Sequence, residues 1–331
     1  MENTKLPEKS LQRNVKVQIL RALAIIAVVI IHSHPSKTQL GIFLRPFINF
    51  AVPMFVFLSG YLTKLDIEHP VQFIKKRFVR MIIPYTIWSL IYTILYGTGE
   101  KFIYNYITGN ACYTFYYVIV YLQLVLVTPF LKGLAISKYK YIGFLVTPIA
   151  LILRTFIFGY LQINHGIFYE VHNFLGIIRW FTYYYLGILL SNKLINLKIS
   201  RKKLCCLLIV SLVLQIFTSE IWNYLGNYAM ATTASRLSPF FTNILILLLA
   251  YKWLNNGVMI DRNDKHFKFL IVLGDYSFGI YLAHIIVLSV VNHIIPVFPI
   301  NSVLCLCLNL LCAIIGRKIL GDRFGKYIGL F

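Results

Sequence analysis

Two ionisable residues, Arg21 and His32, lie in one apolar stretch near the start of the chain, ILRALAIIAVVIIHSHP over residues 19–35. In a helix, the eleven steps between them advance about 16 Å and complete about three turns, so both side chains project from one face. A guanidinium binds anionic groups such as phosphate, and a neutral imidazole accepts a proton or acts as a nucleophile. An ionisable residue inside a membrane span is costly and by default marks a functional site. The shared face favours such a site over a snorkelling arginine and an interfacial histidine.

A second candidate is the basic cluster of Lys76, Arg77 and Arg80, which opens a later apolar run. If this segment is helical, the three cations can face one way. Cations at a membrane surface suit a phosphate-bearing ligand or anionic lipid headgroups, although a plain topology signal remains open. The preceding apolar segment, FVFLSGYL, contains Ser59 and Gly60, where small residues permit the close approach of another helix or of a ligand.

A polar stripe occurs in a late apolar segment, LGDYSFGIYLAH. Ser277, Tyr281 and His284 recur there at helical spacing and share one face of an otherwise apolar helix. We expect Asp275 or Ser277 to cap the start of this helix. Together with the stripe that joins Arg21 to His32, it suggests a polar cavity that runs through a helical bundle, with Tyr281 and His284 as candidate substrate-binding residues.

Two further arginines, Arg154 and Arg179, lie within apolar runs. Glu170, in the polar and aromatic segment LQINHGIFYEVHN between them, is the nearest carboxylate, and we expect it to pair with one of them. A mixture of polar and aromatic residues can hold a sugar, although interfacial tyrosines look similar. A structural role is favoured for these three residues, with substrate binding as the alternative.

The composition is that of a polytopic membrane protein. The 331 residues are 59% hydrophobic and 13% charged, and the mean hydropathy is +0.73. Each apolar run is near the length of about 20 residues that a helix needs to cross a bilayer. We therefore predict an all-α polytopic membrane protein with about ten transmembrane helices, in the runs 17–35, 42–63, 81–97, 113–134, 141–160, 174–192, 204–219, 237–254, 269–292 and 300–319.

Basic residues predict the orientation, because they concentrate in cytoplasmic loops. With both termini cytoplasmic, 26 of the 32 Lys and Arg fall on the cytoplasmic side. We expect residues 1–16 to form a cytoplasmic segment, residues 17–320 a single ten-helix domain and residues 321–331 a cytoplasmic tail, in a multi-pass protein of the plasma membrane. The formal net charge of +21 is explained by these short loops, so nucleic acid is not an expected partner.

The six cysteines predict neither a disulfide framework nor a metal site. Five of them lie in apolar runs, no CxxC pair occurs, and no His lies at metal-ligand spacing from them. We interpret them as small hydrophobic residues in the core or against lipid, and no metal is expected.

Several of these segments together resemble the membrane acyltransferase family 3, ten-helix acyltransferases that modify cell-surface glycans. The segments are R-x10-H from Arg21 to His32, FVFLSGYL, RFVRMIIPY, YVIVYLQLVLVTPFL and YSFGIYLAH, in the family's order and over most of the chain. The resemblance implies acyl transfer, usually of acetyl from acetyl-CoA, to a carbohydrate hydroxyl on the far side of the membrane. The chain is also similar to the subgroup that includes capsule and wall O-acetyltransferases.

Under this resemblance, acetyl-CoA is the expected acyl donor. Its phosphates need a cationic mouth on the cytoplasmic side, which Lys76, Arg77 and Arg80 would supply. His32 would act in the outer half, either as a general base or as an acyl carrier, and Arg21 would hold the phosphate or pantetheine end of the donor. The acceptor would be a surface glycan or its lipid-linked precursor.

Other classes of function remain open. A polysaccharide exporter or flippase would share this topology but would not need a cation cluster matched to the phosphates of CoA. A sensor or an assembly scaffold would leave the intramembrane Arg and His unexplained. The sequence shows no esterase-like extracytoplasmic domain of the kind that some family members carry. A separate extracytoplasmic transferase or glycan synthase is therefore a possible partner, besides membrane lipid.

Overall fold

The computed structural model describes residues 8–35, 37–163 and 176–330, and for residues 8–14 it describes the backbone alone. These residues form α-helices, short 3-10 and π-helical turns and loops, and contain no β-strand. The predicted all-α fold is confirmed.

Fourteen α-helices follow one another in the described residues. Two 3-10 turns lie at Gly99–Lys101 and Lys140–Phe144, and a π-helical turn at Thr155–Tyr160 continues the seventh helix. The helices are α1 (Glu8–Ser33), α2 (Gln39–Ile48), α3 (Ala51–Tyr61), α4 (Pro70–Tyr96), α5 (Phe102–Thr108), α6 (Tyr116–Ile136), α7 (Val146–Arg154), α8 (Ile177–Ser191), α9 (Arg201–Tyr224), α10 (Tyr228–Thr232), α11 (Leu237–Leu254), α12 (Lys268–Asp275), α13 (Ser277–Ile294) and α14 (Ile300–Tyr327).

Nine stretches of the described chain are long and apolar enough to cross a membrane, and each overlaps one of the predicted runs. The remaining predicted run, 174–192, corresponds to α8, which has 15 residues. This helix follows residues 164–175, which lie outside the described part. The nine stretches are Val15–Ser33, Gln39–Tyr61, Pro70–Tyr96, Tyr116–Ile136, Lys140–Tyr160, Arg201–Tyr224, Tyr228–Leu254, Ser277–Ile294 and Ile300–Tyr327.

Some of the predicted runs are interrupted helices. The run 42–63 is divided into α2 and α3 at Asn49 and Phe50, and the run 269–292 is divided into α12 and α13 at Tyr276. A break inside a span frees backbone groups that neighbouring elements or a cavity must satisfy. Both breaks lie beside the cavities described below.

The predicted cap of the ninth span is wrong. No side chain caps the start of α13, and Asp275 is instead the last residue of α12. The carboxylate of Asp275 accepts a hydrogen bond from the guanidinium of Arg262. Asp275 therefore forms an ion pair with Arg262, in the loop before α12, and does not cap the helix that follows it.

Helix α1 is the central element of the bundle. It packs against α3, α12, α13 and α14, and Ala22, Ala24, Ile25 and Val29 are fully buried along it. At one end it crosses α12 at close range, where a Cβ on Gly274 would overlap the carbonyl oxygen of Gln18. This crossing brings the end of α12 beside the first turns of α1.

Helices α3 and α8 cross through two glycines. A Cβ on Gly60 would overlap the carbonyl oxygen of Tyr184, and a Cβ on Gly187 would overlap that of Phe57. In lipid, helix association depends on close van der Waals contact, which small residues allow. Of the two interpretations of Gly60, the structure shows the approach of another helix.

We expect Gly60→Ile to destabilise the protein, because the new side chain has to displace the backbone of α8. Overpacking of this kind costs about 1–3 kcal/mol. The midpoint of thermal unfolding of the detergent-solubilised protein should fall by several degrees. Gly133→Ile is the matched control, since a Cβ at Gly133 meets no atom within 4 Å. Equal midpoints for both variants would contradict the packing role of Gly60.

The orientation of the bundle is testable at two exposed lysines, Lys101 and Lys198. In a variant whose native cysteines are replaced, Lys101→Cys should react with a membrane-impermeant maleimide added to intact cells. Lys198→Cys should react only after the membrane is permeabilised, because the basic-residue distribution predicts a cytoplasmic location for it. The opposite pattern at either position would contradict the predicted topology.

Candidate functional site

A cavity of about 380 Å³ lies between α1, α3, α4, α6, α13, α14 and the end of α12. Four arginines line it: Arg21 from α1, Arg80 from α4, Arg317 from α14 and Arg262 from the loop before α12. Among its described lining residues, Asp275 is the one carboxylate, so the ionised walls carry a net of three positive charges. We call this space the arginine cavity. A concentration of guanidinium groups suits a ligand with several phosphates.

Neighbouring polar groups fix three of these arginines. Arg262 pairs with Asp275, as described above. Arg317 donates from Nε to Oδ1 of Asp322 at 2.8 Å, and Arg21 donates from Nη1 to Oε1 of Gln18 at 3.4 Å. A guanidinium carries five N–H groups, more than any one of these partners accepts.

The predicted basic cluster on α4 contributes one residue to this cavity. Arg80 lines it, whereas the guanidinium of Arg77 lies over the ring of Phe73, 4.5 Å from its centroid, and Lys76 is not a lining residue. The segment is helical as predicted. Its three cations nevertheless do not converge on one space.

The two small residues near the end of α3, Ser59 and Gly60, face different surroundings. Ser59 lines the arginine cavity, and its hydroxyl donates to the carbonyl oxygen of Phe55 at 2.9 Å. Adjacent residues of a helix point about 100° apart, so Gly60 does not face the cavity with Ser59 and packs against α8 instead. The structure thus brings together Arg21, Ser59 and Arg80, and places Gly60, Lys76 and Arg77 outside the lining.

A second cavity, of about 230 Å³, contains His32. We call it the histidine cavity. The hydroxyl of Tyr113 lies 3.3 Å from Nδ1 of His32, and the two rings meet edge to face with centroids 5.2 Å apart. Arg45 also lines this cavity, and its Nε donates to the carbonyl oxygen of Thr232 at 2.8 Å. The imidazole of His32 and the guanidinium of Arg45 therefore line the same small cavity.

A second histidine, His284, lies directly behind His32. The ring centroids are 5.4 Å apart, and His284 is fully buried. Its Nδ1 lies 2.7 Å from the carbonyl oxygen of Tyr281. Because a carbonyl only accepts, Nδ1 carries the proton, and the lone pair of the neutral ring is on Nε2. This Nε2 has no hydrogen-bond partner within the described part of the chain.

The two cavities adjoin. Val28, Val52, Tyr117 and Tyr281 line both of them, and we call these four side chains the partition. The hydroxyl of Tyr281 donates to the carbonyl oxygen of Thr114 at 2.6 Å, and its ring meets that of Tyr117 edge to face. Where the two sequence stripes suggested one polar cavity, the structure has two compartments joined at an aromatic wall.

The predicted outer arginines lie near the histidine cavity but do not line it. Arg154 donates from Nη1 to the carbonyl oxygen of Ser235, a lining residue, at 3.3 Å. Arg179 precedes Trp180, which also lines the cavity. Glu170 lies outside the described residues, so its predicted pairing with one of these arginines stays a prediction.

Sequence reasoning did not single out three of the arginines that line the cavities. Arg262 and Arg317 belong to basic segments that topology alone explains, and only the fold shows that they reach one space. Arg45 could have been found, because it lies inside an apolar run. The rule that singled out Arg21 applies to it equally.

Neither a disulfide nor a metal cluster is found in the part of the chain that the structure describes. All six cysteines are free, two of them buried and four exposed. No group of three or more His, Cys, Asp or Glu among the described residues could hold a metal ion.

Comparison with known proteins gives an independent result. A family model described as an acyltransferase domain matches residues 14–318. The chain is also similar to two proteins named "Probable poly-beta-1,6-N-acetyl-D-glucosamine export protein" from Staphylococcus aureus, at 23% identity for strain MRSA252 and 22% for strain MSSA476. Each match covers 90% of this chain and 90% of the relative. No solved structure matches the chain.

Proposed function

The chain belongs to the acyltransferase 3 family of membrane proteins, and from this premise we propose that it is an O-acetyltransferase of the cell membrane. The donor is cytoplasmic acetyl-CoA. The acceptor is a hydroxyl of an extracytoplasmic or lipid-linked glycan. Membership of this family supports the acyltransferase class. The residues that line the two cavities support the choice of donor and acceptor.

The observation that carries this proposal is the stacking of the two cavities along α1. The arginine cavity contains Arg21 and the histidine cavity contains His32, about 16 Å apart along one helix. A donor that has a polyanionic group at one end and a reactive group at the other fits this separation of the arginine cavity from the histidine cavity. The phosphates of acetyl-CoA would be held by Arg21, Arg80, Arg262 and Arg317, and the thioester would extend toward the partition.

The histidine cavity has the groups that acyl transfer needs. The acceptor oxygen attacks the thioester carbon, the carbon–sulfur bond breaks, and the hydroxyl proton passes through His32 to the departing CoA sulfur. Alternatively, the imidazole nitrogen of His32 attacks first, CoA leaves as the thiol, and the hydroxyl then takes the acetyl group from His32. In both routes the carbonyl oxygen gains negative charge, which the guanidinium of Arg45 stabilises. Acetyl label that stays with the gel-filtered protein when no acceptor is present, and that is lost in His32→Ala, distinguishes the second route from the first.

Export of the glycan is the second candidate, because the similar staphylococcal proteins carry that name. An exporter moves a polymer without a covalent step and has no need of an acyl donor. The cluster of four arginines around one cavity favours the enzyme, since it is matched to a polyanion rather than to a neutral polysaccharide.

Two measurements on the whole protein test the proposal. Isothermal titration of the purified protein with acetyl-CoA should give saturable binding that weakens with salt, as expected for phosphate contacts. Mass analysis of surface glycan from cells with and without the gene should show acetyl groups that depend on it. Polymer export without an acetyl increment and without acetyl-CoA binding would contradict the enzyme and favour the exporter.

A further inference from the structure

A groove with a volume of about 770 Å³ opens on the side of the bundle and shares no lining residue with either cavity. We call it the lateral groove. It lies between α9, α11 and the segment of α7 and its π-helical turn, and its walls are largely apolar. Helix α9 contributes one continuous face at helical spacing, formed by Leu207, Val210, Ser211, Leu214, Thr218 and Trp222.

The dimensions of the lateral groove fit a long hydrocarbon chain. From Leu207 to Trp222 it follows α9 for about 22 Å, most of the roughly 30 Å thickness of a bilayer core. Val210 and Leu214 are 57% and 55% exposed, so the groove is open to the surrounding lipid along its length. An elongated apolar space parallel to a membrane-spanning helix suits a single extended chain.

One end of the groove contains a buried cation, Arg236, which is 3% exposed. Its guanidinium donates to the hydroxyl of Ser219 at 2.8 Å and to the carbonyl oxygens of Ala231 at 2.9 Å and Thr218 at 3.2 Å. These partners are neutral, and Nε has no partner among residues 8–35, 37–163 and 176–330. No ion pair found in that part of the chain includes Arg236. A buried cation whose partners in the described residues are all neutral favours the binding of an anion.

One continuous segment of the chain joins this end of the groove to the histidine cavity. Thr233, Ala234 and Ser235 line the histidine cavity, and the next three residues of the chain, 236–238, line the lateral groove. A ligand whose anionic group lies at Arg236 therefore has its headgroup next to the space that contains His32.

We propose that the lateral groove binds the hydrocarbon chain of a phosphate-linked lipid that carries the acceptor sugar, with its phosphate at Arg236. This inference rests on the proposed function and specifies it: the acceptor is used in its lipid-linked form. The chain enters sideways from the bilayer, the phosphate is held at the end of the groove, and the sugar reaches over residues 233–238 to the histidine cavity.

Photocrosslinking in nanodiscs tests the occupant directly. A photoreactive benzoylphenylalanine replaces Val210, which lines the groove. In a control protein it replaces Ile209, which is 63% exposed at nearly the same depth and does not line the groove. The nanodiscs contain phosphatidylcholine and a trace of labelled polyprenyl phosphate. Position 210 should label at least about tenfold more strongly than position 209, the ratio for a preference of about 1.4 kcal/mol.

Competition identifies which part of the lipid is recognised. Unlabelled polyprenyl phosphate should remove the labelling at position 210, while an equal amount of phosphatidylglycerol leaves most of it. Arg236→Gln should reduce the labelling without abolishing it, because the apolar groove remains. Equal labelling at positions 210 and 209 would reduce the groove to ordinary lipid contact and overturn the proposal. Equal competition by phosphatidylglycerol would show a general anionic-lipid site and would also overturn it.

A groove-filling variant separates this inference from the proposed function. Ser211→Trp, on the partly buried inner wall of the groove, should abolish acetyl transfer to a lipid-linked acceptor while acetyl-CoA binding is unchanged, and Ile209→Trp should retain both. If the wild-type protein binds no acetyl-CoA, the proposed function fails whatever the groove holds. If it binds acetyl-CoA and Ser211→Trp still acetylates the lipid-linked acceptor, the groove inference alone fails.

Discussion

His32→Ala is expected to abolish acetyl transfer while the protein still inserts into the membrane and accumulates normally. A positioned general base contributes roughly 10²–10⁴-fold in rate, and an acyl carrier cannot be replaced by Ala at all. Acetyl-CoA binding should be retained, because the arginine cavity lies about 16 Å away along α1. Transfer of labelled acetyl in membrane vesicles, beside acetyl-CoA binding by the purified variant, measures both quantities.

His34→Ala is the matched control for this variant. The side chain of His34 points away from the histidine cavity: its Nδ1 lies 2.9 Å from the carbonyl oxygen of Pro35, and its ring contacts α2 at Gly41. We expect this variant to keep most of its activity. Equal losses in the two variants would indicate disturbed packing around the end of α1. Full transfer activity in His32→Ala would contradict the assigned chemistry.

The second large effect is expected at Arg80. Arg80→Ala removes a guanidinium from the arginine cavity, and a charge-assisted hydrogen bond contributes about 1.5–3 kcal/mol. The dissociation constant for acetyl-CoA should therefore rise about 10- to 150-fold. The maximal rate at saturating donor should change much less, since the proposed function places the reacting atoms at the histidine cavity.

Arg77→Ala provides the comparison, because it removes the same charge from the same helix. Its guanidinium lies over the ring of Phe73 and is not in the cavity lining. Titration with acetyl-CoA should detect a change of no more than a few-fold, from the loss of long-range attraction. Similar weakening in both variants would show that the basic cluster acts through its overall charge rather than through Arg80 at the cavity wall.

Local periodicity predicted the parts of this molecule that depend on neighbouring residues. Apolar runs of sufficient length predicted the spans. The spacing of Arg21 and His32 predicted a shared face of α1, and both residues now line cavities on that helix. The stripe of Tyr281 and His284 also reaches the same region. In each case the helical repeat alone carried the information.

Long-range association could not be predicted in this way. Arg262 and Arg317 reach the arginine cavity because α12 crosses α1 closely at Gly274 and α14 packs against α1. Both events depend on tertiary contacts between distant parts of the chain. The different surroundings of Ser59 and Gly60 have a similar cause. The position of α8 against α3 determines that Gly60 packs against a helix and that Ser59 faces the arginine cavity.

The partition between the two cavities has a consequence for the energetics of the cell. A passage that delivers an acyl group across a bilayer must not conduct ions, because each proton that leaks down 100 mV dissipates about 2.3 kcal/mol. The rings of Tyr117 and Tyr281, with the side chains of Val28 and Val52, line both the arginine cavity and the histidine cavity and lie where the two adjoin. Under the proposed function we expect their apolar surfaces to act as an electrical seal, and the hydroxyl of Tyr281, which donates to the carbonyl oxygen of Thr114, to hold one side of it in place. In that proposal, the wall that the thioester has to reach would also be the insulator that preserves the membrane potential.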